Sequence, residues 1–347
     1  MYIKKILLAI VFIGLAIAAY FAYYIYNIMI HSNTAFNNDT AYVYIATNAD
    51  YNDVRQQLEP LLKDINTFDA LAKQKKYVTN IKAGRYAIKK GMNNNDIINS
   101  IRSNNLPIML SFNNQESLES LAGRVSAQIE ADSLSLLQAM KDESFLNQNS
   151  FTNATALGMY LPNSYEFFWN TSAQQFRARM LKEYNRFWTS ERNAKAKAIG
   201  LSRDQVIALA SIVYEESKQV SEQPRIAGVY MNRIKIGMPL QADPTLKFAA
   251  YQLPEYKDTV IKRVLNIHKD IVSPYNTYKN IGLPPGLIAM PDISAIDAVL
   301  NYEKHQYLYF AADAKRFGFH KFAKTLSQHN VNAREYQQYL SSQGINK

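Results

Sequence analysis

The fold of the larger part of the chain is decided by residues 203–220, RDQVIALASIVYEESKQV. Apolar residues from Val206 to Val213 recur at the spacing of one helix face, and Ser202, just before the stretch, is a favoured N-cap. With about 100° between successive residues, Glu216 falls on the apolar side and Glu215 on the flank. The pattern predicts a helix packed against a core, with one carboxyl at the end of its buried face.

A buried Glu216 has a direct chemical consequence. Burial disfavours the ionised form, so we expect a raised pKa and a carboxyl that holds its proton near neutral pH. Such an acid, aimed into a cleft, can protonate the leaving oxygen of a glycosidic bond. The alternative is that the apolar stripe ends before Glu216, which then caps the core as a solvated residue. Helix geometry alone leaves both interpretations open.

Three rigid segments follow this helix: residues 237–245 (GMPLQADPT), 273–278 (SPYNTY) and 282–286 (GLPPG). A residue before proline is pushed towards extended backbone, so Gln241 and Asp243 are predicted to lie on an extended segment. Tyr, Asn and Gln side chains bind sugars through ring faces and amide hydrogen bonds. Each segment alone is typical of structural loops. Together they predict the walls of a polysaccharide groove.

A smaller unit is predicted before residue 107. Residues 41–46 form a strand-like pattern followed by a helical stretch at 51–62, and the same order returns at 85–88 and 96–101. Two such strand–turn–helix units can pair their strands and cover one face with helices. The pattern predicts a small α+β module. Amphipathic helices are predicted beyond it, at residues 118–131, 134–141 and 173–187.

The N-terminus carries an uncharged apolar run, ILLAIVFIGLAIAAYFAYYIY at residues 6–26. About 20 apolar residues match the thickness of a bilayer core. Because Lys4 and Lys5 precede the run and the first charge after it is Asp39, the N-terminus is predicted to be cytoplasmic and the remainder extracytoplasmic. The alternative is a signal peptide cleaved after residues 16–18 (AIA). The apolar run continues past that point, which favours a retained anchor.

Composition limits the partners and cofactors. The net charge is +10, but the sequence has no run of five or more Lys/Arg, and an extracytoplasmic location argues against a nucleic-acid partner. The absence of cysteine excludes disulfides and thiolate metal sites. The five histidines show no HExxH spacing, so a site without metal or cofactor is predicted. For His320 and His329, packing or hydrogen bonding is favoured over catalysis.

Six motifs, in this order and spacing, resemble the endolytic peptidoglycan transglycosylase family of the YceG-like, or MltG, type. They are LASIVYEES (209–217), VYMNRIKIGMPLQADPT (229–245), YNTY (275–278), GLPPG (282–286), YLYFAAD (307–313) and HKFAKTLSQHN (320–330). The resemblance implies an α+β fold with a single N-terminal transmembrane helix, a small LysM-like module and a catalytic domain. The corresponding divisions are 1–30 for the anchor, 31–40 for a linker, 41–106 for the module and 107–347 for the catalytic domain.

The family's catalytic glutamate falls on Glu216. The resemblance implies cleavage of the MurNAc–GlcNAc β-1,4 bond inside glycan strands without hydrolysis. Glu216 would protonate the leaving oxygen and then accept the C6 hydroxyl proton, which closes a 1,6-anhydro ring. Relatives often carry a carboxylate where this chain has Tyr214, and Glu215 replaces a lysine, so Glu215 is assigned no role. The residues expected to contact substrate are Gln241, Asp243, Tyr275, Asn276 and Tyr278.

Two other functions stay open. One is a hydrolytic muramidase that uses Glu216 and Asp243 as a pair, and the other is a non-catalytic glycan-binding scaffold of wall synthesis. The expected partners are peptidoglycan glycan strands and the cytoplasmic (inner) membrane. The family association also suggests coupling to peptidoglycan synthases, a hypothesis that no residue of the sequence supports by itself.

Overall fold

The computed structural model describes residues 2–256, 259–261 and 264–343. Met1 and residues 344–347, at the outer ends of the predicted anchor and catalytic domain, lie outside these ranges. The mixed α+β fold expected from the sequence is confirmed. Contacts divide the chain into an N-terminal unit (residues 1–110, 127–131 and 165–172) and a C-terminal unit (residues 111–126, 132–164 and 173–347).

The elements up to residue 103 belong to the N-terminal unit. They are α1 (Tyr2–Met29), β1 (Thr40–Ile45), α2 (Tyr51–Leu58), α3 (Ile65–Gln74), β2 (Gly84–Lys89) and α4 (Asn94–Ser103). Helix α1 contains the apolar run and is long and apolar enough to cross a membrane. The predicted strands pair with each other as β1 and β2, in antiparallel register. The helix α3 between them was not predicted.

Strand alternation builds the core of the N-terminal unit. Val43 and Ile45 of β1 and Tyr86 and Ile88 of β2 point inward and are buried, because successive residues of a strand face opposite sides. On the outer face, Arg85 stacks over the ring of Tyr42, 3.8 Å from its centroid. The sheet therefore has one buried and one partly exposed face.

A buried amide network ties the end of α1 into this unit. Asn33 donates to Asn94 Oδ1 (2.7 Å), and Asn94 donates to the carbonyl oxygen of Ile28 (3.0 Å). The last turn of a helix has carbonyls without helical partners, and Asn94 satisfies one of them. Asn33 and Thr34 are buried, so part of the stretch 31–40, predicted as a linker, packs into the unit.

The remaining elements begin with strands β3 (Pro107–Phe112) and β4 (Asn163–Phe168), which pair with each other, and continue mainly as helices. The helices and last strands are α5 (Leu118–Ser126), α6 (Ser133–Met140), α7 (Glu143–Gln148), α8 (Ala173–Phe187), α9 (Ser190–Ala198), α10 (Arg203–Glu216), α11 (Gln223–Lys235), α12 (Asp243–Tyr251), α13 (Asn266–Lys269), α14 (Ile293–Leu300), β5 (Tyr309–Ala312), β6 (His320–Ala323) and α15 (Leu326–Ser342).

Helix α10 is the central helix of the C-terminal unit. It begins at a capping box in which Ser202 and Gln205 satisfy each other's backbone N–H groups. Every residue from Val206 to Val213 is buried, because α9, α11, α12 and α14 all pack against the helix. The predicted one-sided stripe is therefore only part of the buried surface. The helix ends at Glu216, four residues earlier than predicted, since Ser217 is extended.

The network around Asn94 gives the first testable prediction. Asn94→Ala leaves the Ile28 carbonyl without its side-chain donor and removes one of the acceptors of the Asn33 amide, which keeps its bond to the carbonyl of Asp64. The free energy of unfolding of the N-terminal unit should therefore fall by about 1–3 kcal/mol. Asn99→Ala, at an exposed position of the same helix, should change it by less than about 0.5 kcal/mol. The measurement is urea unfolding of the detergent-solubilised chain in a Trp188→Phe background, in which Trp169 reports on this unit alone. If both substitutions lowered the free energy of unfolding equally, the structural role given to Asn94 would be wrong.

Candidate active site

A cavity of about 310 Å³ lies where α10 ends, within the C-terminal unit. Such a volume is at the small end of the range for ligand sites. Four of the six residues that the sequence predicts for the site line it, together with seven others. The lining residues are Glu216, Tyr230, Arg233, Leu240, Gln241, Asp243, Tyr278, Tyr309, Phe310, Leu326 and His329.

Glu216 is the last residue of α10 and is only partly exposed, towards this cavity. Burial raises its pKa to about 7, and the charge of Asp243 acts in the same direction, whereas the hydrogen bond from Tyr230 and the charges of His320 and Arg233 lower it. The carbonyl end of the helix dipole also disfavours an ionised carboxyl here. Near neutral pH the group is therefore poised between its protonated and ionised forms.

Helix α11 supplies the groups beside this acid. Tyr230 Oη donates to Glu216 Oε1 at 2.7 Å, and the second carboxyl oxygen has no hydrogen bond within the part of the chain that the structure describes. Arg233, one turn later, donates to the carbonyl oxygens of Leu308 (2.7 Å) and Leu240 (2.6 Å), and burial lowers its pKa. Residue 228 of α11 is glycine because a Cβ there would lie 2.3 Å from a backbone carbonyl oxygen.

A buried threonine pair fixes the segment that carries Gln241 and Asp243. Thr277 Oγ1 accepts the backbone N–H of Ala242 (3.0 Å) and lies 2.8 Å from Thr245 Oγ1. The backbone N–H of Gln241 donates to the carbonyl of Thr277 (3.0 Å). These bonds join the segment that carries Gln241 and Asp243 to the loop that ends at Tyr278.

Gln241 and Asp243 line the cavity, but their backbone is not extended as predicted. Gln241 has φ of 49°, in the left-handed region that costs a non-glycine residue about 1–2 kcal/mol. Asp243 begins helix α12, with Pro244 in its first turn, where the missing N–H has no helical partner to lose. Tyr278 Oη donates to Asp243 Oδ1 at 2.6 Å, and burial, followed by this bond, raises the tyrosine's pKa.

Tyr275 and Asn276 do not line this cavity. Tyr275 packs on the ring of Phe248, with centroids 4.6 Å apart, and lines a separate cavity. Asn276 is buried and donates to the carbonyls of Lys269 (3.0 Å) and Ile271 (2.8 Å), so it holds its loop in shape. Contact of these two residues with a substrate stays a prediction.

Six lining residues besides Leu240 were not predicted as site residues: Tyr230, Arg233, Tyr309, Phe310, Leu326 and His329. A weak signal existed for the first two, because residues three apart on a helix share a face. Among the described residues, no group of three or more His, Asp or Glu side chains lies close enough to hold a metal ion. The chemistry that this geometry offers is proton transfer by one buried carboxyl, next to a second carboxylate and a cation.

Comparisons with known proteins agree on one family. The model of the YceG-like family matches residues 43–335. An endolytic murein transglycosylase of Bacillus subtilis is 31% identical over 278 residues, which cover 75% of this chain and 74% of that protein. One of Streptococcus pneumoniae is 27% identical over 304 residues, or 80% of this chain and 54% of the relative. The crystal structure of a YceG-like protein from Listeria monocytogenes matches with a TM-score of 0.57 and 26% identity, covering 85% of this chain and 99% of that one.

The raised pKa of Glu216 also predicts a pH-dependent stability. Because the folded carboxyl keeps its proton up to about pH 7 whereas an ordinary glutamate ionises near 4.5, its contribution to stability is present at low pH and is lost as pH rises between these values. Glu216→Gln cannot ionise, so the variant should exceed wild type by up to about 3 kcal/mol at pH 8 and show little difference at about pH 4.

The measurement is urea unfolding followed by Trp188 in a Trp169→Phe background, which reports on the C-terminal unit. Glu215→Gln is the matched control, since Glu215 is exposed and pairs with Lys218 on the surface. A stability gain that is the same at both pH values would show that the Glu216 carboxyl titrates normally.

Proposed function

The chain belongs to the YceG-like family, and we propose that Glu216 is the acid, and then the base, with which it cleaves glycan strands. Its relatives are named endolytic murein transglycosylases, and the chain is an enzyme of this kind, a lyase that acts on peptidoglycan. The observation that carries the residue assignment is one partly buried carboxyl, with a pKa of about 7, at the wall of a sugar-sized cavity.

In the first step, protonated Glu216 gives its proton to the glycosidic oxygen as the bond from C1 of MurNAc to that oxygen breaks. Tyr230 already donates to Oε1, so the transferable proton lies on Oε2. The positive charge of Arg233, which lowers the pKa of Glu216, stabilises the carboxylate that remains. The leaving GlcNAc departs with a free hydroxyl.

In the second step, O6 of the same MurNAc bonds to C1 while its proton moves to the Glu216 carboxylate. The product is a 1,6-anhydro ring, and the enzyme returns to its protonated form. Because the nucleophile belongs to the sugar itself, it is present at high effective concentration and no water has to be activated. A single carboxyl therefore serves both steps.

Asp243 is proposed to stabilise the positive charge that develops at C1. Its carboxylate lines the same cavity and is held by Tyr278, which supports an electrostatic role. Gln241 is proposed to hydrogen-bond the sugar through its exposed amide. For Tyr275 and Asn276, which do not line this cavity, contact with substrate is kept as a proposal from the sequence.

The hydrolytic alternative draws on the same two carboxylates, Glu216 and Asp243. A muramidase would add water at C1, so its product would be heavier by one water molecule than the anhydro product. A scaffold without catalysis would release no fragments at all. Mass spectrometry of the released muropeptides separates these outcomes.

We also propose that residues 41–106 form a LysM-like module and that residues 107–347 form the catalytic domain. The order strand, helix, helix, strand in β1, α2, α3 and β2 supports the first assignment. Helix α1 is proposed to anchor the protein in the inner membrane with its N-terminus in the cytoplasm, as Lys4 and Lys5 favour. Coupling to peptidoglycan synthases remains a proposal from the family resemblance, and pull-down without any synthase would count against it.

The assignment of the acid predicts a specific loss of activity. Glu216→Gln should lower the release of anhydro-ended muropeptides from purified sacculi at least a hundredfold, because its amide cannot donate the proton that the leaving oxygen needs. Glu215→Gln, one residue away on the same helix, should keep nearly full activity. The readout is mass spectrometry after digestion by the full chain in detergent. Unchanged release by Glu216→Gln would remove this residue from the mechanism.

The pKa of Glu216 also predicts the pH dependence. Since the protonated carboxyl is the active form, kcat/KM should fall as pH rises through about 7. The hydrogen bond from Tyr230 lowers this pKa, so Tyr230→Phe should move the falling limb to higher pH. Initial rates on soluble glycan strands between about pH 5 and pH 9 provide the test. If kcat/KM falls at the same pH in Tyr230→Phe as in wild type, a group other than Glu216 causes the pH dependence.

A further inference from the structure

The mechanism gives no function to His329, a polar side chain of the cavity. His329 lies in the first turn of α15, three residues after Leu326, and both line the cavity. Its ring stacks on Tyr309, with centroids 5.4 Å apart and planes 25° from parallel. The imidazole is therefore held in a fixed orientation at the wall of the cavity.

The surroundings of His329 determine where its proton lies. Nδ1 is enclosed and has no hydrogen-bond partner among the described residues. Enclosed N–H donors without a partner are rarer in proteins than enclosed acceptors, so the proton belongs on Nε2. Burial lowers the pKa of the ring, and the positive charge of Arg233 acts in the same direction. The imidazole is neutral at pH 7 and has an N–H donor on the less enclosed side of the ring.

Two apolar side chains near the C-terminal end of the sequence line the cavity together with His329, besides the polar residues of the site. Phe310 and Leu326 line the same cavity, and Phe310 packs edge-on against Tyr230, with centroids 5.9 Å apart. A donor with apolar neighbours is complementary to an acetamido group, whose carbonyl oxygen accepts a hydrogen bond while its methyl group packs on hydrocarbon. A sugar hydroxyl would accept the bond but would leave the apolar surface without a partner.

We propose that His329, with Phe310 and Leu326, forms a subsite for the N-acetyl group of a bound amino sugar, and that Nε2–H donates to the acetamido oxygen. The proposal rests on the proposed function and extends it to recognition of the substrate. His329 then contacts substrate but exchanges no proton with it. Both steps of proton transfer remain with Glu216.

Three substitutions test the position of the donor. The side-chain nitrogen of glutamine reaches about as far as Nε2 of histidine, whereas that of asparagine reaches only as far as Nδ1. We expect kcat/KM to fall about tenfold in His329→Ala and His329→Asn and less than about threefold in His329→Gln. The falling pH limb that follows Glu216 should be the same in all three. Full activity of His329→Ala, or rescue by asparagine and not by glutamine, would overturn the proposal.

A change in the substrate tests the acetamido group itself. Wild type should cleave chemically de-N-acetylated glycan about tenfold more slowly than the native strand, whereas His329→Ala should cleave both at similar rates. If wild type cleaved both glycans at the same rate, or if His329→Ala still preferred the native strand about tenfold, the ring would not contact the acetamido group. Trp188 fluorescence during unfolding checks that the variants are folded. If wild type itself releases no anhydro ends, the proposed function fails, which is a separate result from failure of the subsite.

Discussion

Removal of the Glu216 carboxyl from bulk water is the constraint on which the site depends. The carboxyl cannot be placed in the middle of α10, where every residue from Val206 to Val213 is packed against other helices. At the last residue of the helix, it is still shielded by that packing but can reach a cavity. The same position puts it at the negative end of the helix dipole, which favours the protonated form. A helix that forms the core of the unit thus also sets the acidity of its terminal residue.

Residues that face away from the cavity keep its walls in place. Thr245 and Thr277 bond to each other, and through them the segment around Ala242 and the loop before Tyr278 form one wall. Asn276 uses its amide on carbonyls within its own loop. Because these polar groups are buried and paired, breaking one would leave the other unsatisfied, at about 1–3 kcal/mol. The strained backbone at Gln241 is tolerated because this wall is fixed on both sides.

The helices with a clear local periodicity were predicted from the sequence. Helix α8 occupies the predicted residues Ala173–Phe187, and the apolar stripe of α10 placed Glu216 correctly at its end. Periodicity could not show that α10 is buried on all sides, because small residues such as Ala210 and Ser211 are compatible with either environment. The proline rule failed at Asp243 because proline suits the first turn of a helix as well as an extended segment.

The contact of Tyr230 with Glu216 could not be predicted from local periodicity. Tyr230 is 14 residues away along the chain and reaches the carboxyl only because α11 turns back along α10. His329 comes from the last described helix and meets the cavity through its packing on Tyr309. The resemblance of the motifs to a family could indicate that such residues belong to the site. Only the tertiary structure shows where each ring and hydroxyl lies relative to Glu216.

The proposed use of one carboxyl as acid and then base places a narrow requirement on its pKa. A group with an ordinary glutamate pKa would carry too little proton at neutral pH to assist the leaving oxygen, and a far higher pKa would make proton release difficult. Burial and Asp243 raise the pKa of Glu216, whereas Tyr230, His320 and Arg233 lower it. Had burial acted alone, the carboxyl would give up its proton too reluctantly for the first step. The groups on α11 and β6 that lower this pKa therefore bring the proposed acid closer to the pH at which both transfers can occur.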